Sequence, residues 1–336
     1  MRAVVVDEPR AIRVVDVPTP EPGPDEVLIR TGACGICGTD LHIIDGEFPP
    51  TKYPVVPGHE FGGEVMAFGK NVTGFKRGDL VGVDPTLNCG ACYFCQRGMA
   101  NLCERWAAVG ITAQGGFAEY LAIPARTVYP LPAGMSLATA SLIEPLSCVV
   151  RGFHRLHPEV GESSLVYGAG PMGLLNAQVA RFNGASRVAI VDINQGRLNR
   201  ARDAFGFDLV GTSWEAVRDA EPRGFDNVIE ATGVTKVAER AIDAAKRRGK
   251  LLLFGVCPPG ETAAYDAYRI YNEEITILGT MAVLKSYGPA IDILAAGAIR
   301  ADLMITNTFP LDDFSEAVDF VRRGDGLKVQ AGGASA

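Results

Sequence analysis

Cys89, Cys92, Cys95 and Cys103 fall at C-x2-C-x2-C-x7-C spacing, which lets four thiolates close around one tetrahedral zinc. A site with four thiolate ligands has no vacancy, so its expected role is to staple the loop between residues 88 and 104 rather than to take part in turnover. The plainer alternative is a set of buried or redox-active thiols. Upstream, Cys37 in GICGTDLH and the pair His59-Glu60 in PGHEFGGEV offer sulfur, nitrogen and oxygen ligands of the kind used where a metal keeps one position for substrate. Cys37 alone could be a small buried hydrophobe or one half of a redox pair with Cys34, and His59 alone a hydrogen-bonded structural residue. Taken together they become ligand candidates.

A third chemical feature is the turn GAGPMG. Gly168, Gly170 and Gly173 follow the apolar run LVY, open the helical segment PMGLLNAQVARF that begins at Pro171 and Met172, and lead into the run RVAIVD. In that context the glycines let backbone N–H groups at a helix N-terminus approach a pyrophosphate. Asp192, which ends the second strand of this unit, is placed to accept hydrogen bonds from ribose hydroxyls and to repel a 2′-phosphate, favouring NAD over NADP. Asp192 could instead cap the helix starting near Asn194, and Arg197 could soften the discrimination by swinging toward the ribose.

These residues need two kinds of scaffold. Up to about residue 130 the chain is a series of short β-branched runs (AVVV, VLIR, GGEVMAFG, DLVGV, FAEYLAI) punctuated by Gly, Pro and Asp, which predicts a β-rich domain with long loops. From about residue 145, the runs SSLVYG, RVAIVDI, FDNVIEA, KLLLFGV and EITILGT alternate with helical segments, including KVAERAIDAAKR. That alternation predicts a doubly wound parallel sheet. The fold class is therefore α/β with two domains, residues 1–150 plus 282–336 forming the catalytic zinc domain and 151–281 the NAD-binding Rossmann domain. The last stretch supplies only a helix-like SYGPAIDILAAG, an extended DLMITNTFP and a helix DDFSEAVDFVRRG, too little for its own core, and the tail AGGASA is expected to fray.

Composition narrows the function classes. At 336 residues, with 47% hydrophobic and 21% charged residues, the chain is an ordinary globular one of two-domain size. A net charge of −7 disfavours a nucleic-acid partner, and no run is apolar for long enough to span a membrane. Small molecules are the expected partners and the cytoplasm the expected compartment, where eight cysteines serve metals better than disulfides.

GICGTDLH, GHEFGGEV, the cysteine quartet, SLIEPLS and GAGPMG, in this order, resemble the zinc-containing medium-chain alcohol dehydrogenases, most nearly the sorbitol or polyol branch. Glu144 in LIEPLS, where the classical alcohol dehydrogenases place a cysteine ligand, is the main reason for that branch. The resemblance implies a GroES-like catalytic domain beside the Rossmann domain, two zinc ions per chain and a homotetramer or homodimer paired through the edge strand EITILGT. It also implies a catalytic zinc held by Cys37, His59 and Glu144, with Glu60 as an alternate ligand and Asp40 orienting the histidine. Thr39 would pass the alcohol proton outward and His42 would receive it; the plainer reading of His42 is a surface loop residue, and that of Glu144 an acid favoured near a helix N-terminus. The implied activity is hydride transfer from a polyol to NAD to give a ketose. Threonine, butanediol, sugar and simple alcohol dehydrogenases share these motifs, and a non-enzymatic NAD- or zinc-binding protein would need only the quartet and the turn. Phe48, Trp106 and Phe117 could be core or substrate wall.

Overall fold

Residues 1–333 are described by a computed structural model; the last three residues of the tail AGGASA lie outside them. The chain divides into two compact units, one made of residues 1–147, 283–296 and the segment from 304 onward, the other of residues 148–282 and 297–303.

The first unit is built on a seven-stranded sheet. Its order is Ile305–Phe309, Lys328–Gly332, Glu26–Gly35, Glu60–Phe68, Leu80–Val83 and Val128–Pro130, with Tyr120–Pro124 also paired to Glu26–Gly35. The inward side chains of these strands, among them Ile29, Val65, Val81 and Phe61, meet Phe117 and Phe314 in one core. Phe314 opens the helix Phe314–Arg323, which ends on Gly324 in the left-handed conformation (φ 73°), so the last helix of the chain closes over this core. Ala331 and Gly332, expected to fray with the tail, instead complete the strand Lys328–Gly332 and are buried. Their backbone is held by the antiparallel pairing of Gln330 with Gly35 and of Gly332 with Ala33.

The second unit is a parallel sheet in the order Leu209–Gly211, Arg187–Val191, Ser163–Tyr167, Phe225–Glu230, Ala245–Leu253 and Thr276–Gly279. The order reverses at Ser163–Tyr167, and in such sheets the crevice beyond the carboxyl end of that strand is where a dinucleotide sits. Leu165, Ala189, Val228 and Leu251 are fully buried, as strands covered on both faces require. Two boundaries depart from the sequence expectation: the run DLMITNTFP, expected to be extended throughout, opens inside the short helix Ala301–Met304 before the strand Ile305–Phe309, and a foreseen helix ends early. The helix foreseen across KVAERAIDAAKR stops at Ala241, followed by a short 3-10 turn, and the residues from Ala245 join the strand Ala245–Leu253. A bulge there carries Arg248 at φ 60°, so a segment with helical composition is recruited into the sheet by pairing with Phe225–Glu230.

Candidate metal centres and dinucleotide site

In the quartet, ligand atoms of Cys89, Cys92, Cys95 and Cys103 all lie within 4.8 Å of one another. Cys89 Sγ and Cys95 Sγ are 4.0 Å apart, and Cys92 Sγ and Cys103 Sγ 3.9 Å. A tetrahedral zinc with Zn–S bonds of about 2.3 Å needs sulfurs about 3.8 Å apart. The thiols are also electrically unequal. The N–H groups of Ala91 and Cys92 draw Cys89 down to about 6, whereas loss of water and the adjoining thiols push Cys95 up to about 12. Four sulfurs so close cannot all ionise unaided, and a divalent cation at their centre removes the obstacle. The backbone N–H of Arg105 donates to Cys103 Sγ at 3.3 Å and that of Cys89 at 3.4 Å, so the loop supplies hydrogen bonds to a thiolate as well as ligands.

The mixed-ligand centre starts from a strand end. Glu26–Gly35 leads into Cys37, the N-cap of the helix Gly38–Asp45, and Glu60 is the first residue of Glu60–Phe68, paired with Gly35. Cys37, His59 and Glu60 each bring a ligand atom to within 4.8 Å of the others. One sulfur, one nitrogen and one carboxylate oxygen at that separation fit a divalent cation of zinc type. Asp40 is fully buried one turn into the helix; its Oδ2 accepts the N–H of Cys37 at 2.8 Å, and its Oδ1 accepts that of Gly58 at 3.2 Å. Its Oδ1 also stands 3.5 Å from His59 Nδ1, at the outer limit of a hydrogen bond. Burial alone would lower the His59 pKa, but Asp40 and the Cys37 sulfur outweigh it and raise the value well above the ordinary one. A metal taking the free ring nitrogen would replace the proton that these neighbours favour.

Glu144 lies in the first turn of the helix Ile143–Leu156, 8% exposed, and is not part of the three-residue ligand group. Thr39 Oγ1 is 3.8 Å from Cys37 Sγ, whereas the His42 ring is exposed and Nδ1 lies 2.9 Å from Glu47 Oε2. Cys34 sits in the core with its thiol donating to the carbonyl of Gly35 at 3.7 Å, and burial first, then Asp40 and Glu60, push its pKa well up. It therefore behaves as a small apolar residue. Phe117 is core, 4.7 Å from Phe314 ring to ring, while Phe48 and Trp106 are half-buried against the same cluster.

Sequence reasoning passed over Lys328. Its ammonium is 3% exposed as a residue and pairs with both carboxylate oxygens of Glu60, at 2.5 Å to Oε1. Burial would lower the Lys328 pKa, but Glu60, with Cys37 and Glu144 adding to it, raises the value and keeps the group charged. The only signal in the sequence was one charge inside the apolar run LKVQAG, which reads equally as the solvated face of a strand.

In the second unit, Gly168 has φ 100°, and a Cβ on Gly173 would overlap the carbonyl oxygen of Gly168, so the turn closes tightly only with glycine at both positions. Gly170 is the N-cap of the helix Pro171–Phe182, with Pro171 in its first turn, where the missing N–H goes unused anyway. A cavity of about 680 Å³ opens here, lined among others by Gly170, Met172, Asp192, Arg197 and Thr232. Asp192 Oδ2 accepts the N–H of Ala169 at 2.7 Å, and Oδ1 that of Asn194 at 2.8 Å. The cap of the helix Gln195–Asp203 is Asn194, whose side chain accepts the N–H of Arg197 at 3.1 Å. Arg197 stands 3.9 Å from Asp192 Oδ2.

The alcohol dehydrogenase GroES-like domain family matches residues 23–133, and the zinc-binding dehydrogenase family matches residues 171–296. The chain is 36% identical to D-arabinitol dehydrogenase 1 of Uromyces fabae over 338 residues, 98% of this chain and 96% of that protein. It is 34% identical to D-altritol 5-dehydrogenase of Agrobacterium fabrum over 312 residues, 92% of each. A zinc-binding dehydrogenase of Sinorhizobium meliloti 1021, solved with NADP bound, superposes with a TM-score of 0.92 at 33% identity over 98% of both chains.

Proposed function

The chain belongs to the zinc-dependent medium-chain alcohol dehydrogenases, and from that membership and the two sites above we propose that it oxidises a secondary alcohol of a neutral polyol to the ketose with NAD. The observation that carries the proposal is the convergence of the helix cap Cys37 with buried His59 and Glu60 within 4.8 Å. Two relatives named for alditols, D-arabinitol and D-altritol, support the substrate class.

In this reading zinc is held at the catalytic centre by Cys37, His59 and Glu144 with Glu60 as the alternate, and a second zinc by Cys89, Cys92, Cys95 and Cys103. Bound zinc would supply Lewis acidity, drawing the pKa of an oxygen ligand down toward about 7. Cys37 as thiolate, His59 as neutral imidazole and one glutamate would balance the charge of a divalent ion held there. Asp40 keeps His59 in one orientation through their 3.5 Å contact. The alcohol proton is assigned to the Thr39 hydroxyl, beside Cys37, and then to His42, whose exposed ring can exchange it with water. Gly168, Gly170, Pro171, Met172 and Gly173 would hold the pyrophosphate of the dinucleotide, whose nicotinamide would supply the hydride acceptor.

NAD rather than NADP is favoured by Asp192, an acid lining the cavity just past the strand Arg187–Val191. NADP is the second reading, because Arg197 is only 3.9 Å from Asp192 and the Sinorhizobium protein was solved with NADP. A homotetramer or homodimer paired through the edge strand Thr276–Gly279 and a cytoplasmic location belong to the same proposal. The test is initial-rate cofactor reduction by zinc-loaded protein with sorbitol, xylitol, arabitol, mannitol, threonine, butanediol, glucose and ethanol, each with NAD and NADP. Rates confined to polyols with NAD support the proposal; a preference for threonine or a simple alcohol rejects the substrate class, and no turnover with any pair rejects the enzyme.

A further inference from the structure

The strand register places a buried cation against the candidate metal centre. Gly35 pairs with Glu60 on one side and with Gln330 on the other, and the N–H of Ile36 donates to the carbonyl of Val329 at 2.8 Å. The strand Lys328–Gly332 is thus locked beside the segment that delivers Cys37. The Glu60 carboxylate crosses over Gly35 to reach Lys328; a Cβ at Gly35 would overlap Glu60 Oε2. Glycine at this position opens the passage. The carboxylate that can reach the metal is therefore already engaged, on both oxygens, by an ammonium with almost no access to water.

We propose that Lys328 is a positioning residue that competes with the metal for Glu60, keeping this carboxylate an exchangeable ligand so that one coordination position stays free for the alcohol. The inference rests on the metal-centre reading above. A salt bridge used only for stability has little to recommend it here, because burying both charges costs about as much as their attraction returns. With zinc bound, Glu60 has two cationic partners, and the strength of one sets its occupancy on the other. Lys328 and Glu60 also cancel one another, so moving Glu60 onto the metal would strip the buried ammonium of its hydrogen-bonded partner. That penalty opposes permanent ligation.

The test uses the full-length protein with cobalt(II) at the catalytic centre, identified as the part of the visible spectrum that disappears in Cys37→Ser. Lys328→Met frees Glu60 to stay on the metal: the ligand-field band shifts, loss of cobalt to a chelator slows by about tenfold, and kcat falls without a change in KM for the dinucleotide. Lys328→Arg restores the wild-type band and release rate. In Glu60→Gln/Lys328→Met, with neither charge, the band returns to its wild-type position. Glu60→Gln alone, which keeps Lys328 and does not depend on the folding of Lys328→Met, leaves the resting band where it is in wild type. Wild-type release kinetics in Lys328→Met, faster release, or a shifted band in Glu60→Gln overturns the proposal for Lys328 while leaving the metal centre standing. Absence of any Cys37-dependent cobalt spectrum in the wild type overturns both.

Discussion

Thr39 sits close enough to the Cys37 sulfur, 3.8 Å from Oγ1 to Sγ, to share the polar surface where a substrate oxygen would lose its proton. Its side chain contributes no metal ligand, so Thr39→Val changes shape little and removes only the hydroxyl. Turnover is expected to fall by about a hundredfold, within the range of a lost proton-transfer group, with catalytic zinc content unchanged. Rates combined with metal analysis check this, and an unchanged oxidation rate would remove Thr39 from the proton path. Asp40 acts differently. It caps Cys37, holds the N–H of Gly58 and faces His59, so Asp40→Asn keeps the volume but loses the anion opposite the imidazole. Loss of such a partner weakens metal binding by about 10- to 100-fold, which a competition titration with a coloured chelator would measure.

At the scale of elements, the strand–turn–helix around Gly168 to Gly173 was legible because its glycines carry a steric requirement that survives any context. Gly173→Val puts side-chain atoms where the Gly168 carbonyl now lies, so the turn must open. NADH binding, followed by fluorescence, is expected to be lost while zinc at both centres is retained; binding at wild-type strength would mean that the turn does not hold the cofactor. The cysteine quartet was equally legible, since its spacing alone brings the sulfurs within reach of one another. Elements whose identity depends on partners far along the chain were harder to see. The segment after Ala241 has helix-forming composition, yet the parallel pairing of Ala245 with Phe225 draws it into the sheet. Lys328 and Glu60 are 268 positions apart, and only the two pairings of Gly35 bring them together. Periodicity reports which face of an element is apolar, and it carries no information on which distant strand becomes the neighbour.

For the whole molecule, charge separates the two substrates. The net charge of −7 repels an anionic dinucleotide at long range, but the cavity beside the glycine turn sets Arg197, Lys236 and Arg240 against two acids, Asp192 and Glu215, which leaves its lining with a cationic excess. At the physiological Debye length of about 8 Å the remote acids are already screened, whereas these three cations act at contact distances. Lowering the salt to about 0.01 M extends the screening length to about 30 Å and restores both fields. The local one should prevail, because a cleft with low-dielectric walls concentrates the field of its own lining. The KM for NAD is therefore expected to rise about two- to fivefold between low and physiological ionic strength, the effect of one or two exposed ion pairs. A neutral polyol has no charge to screen, so its KM should stay constant over the same range. Initial rates at several salt concentrations check both arms. A cofactor KM that falls with salt would place the dinucleotide under the control of the overall negative charge, and a salt-sensitive substrate KM would point to a charged alcohol in place of the neutral polyol.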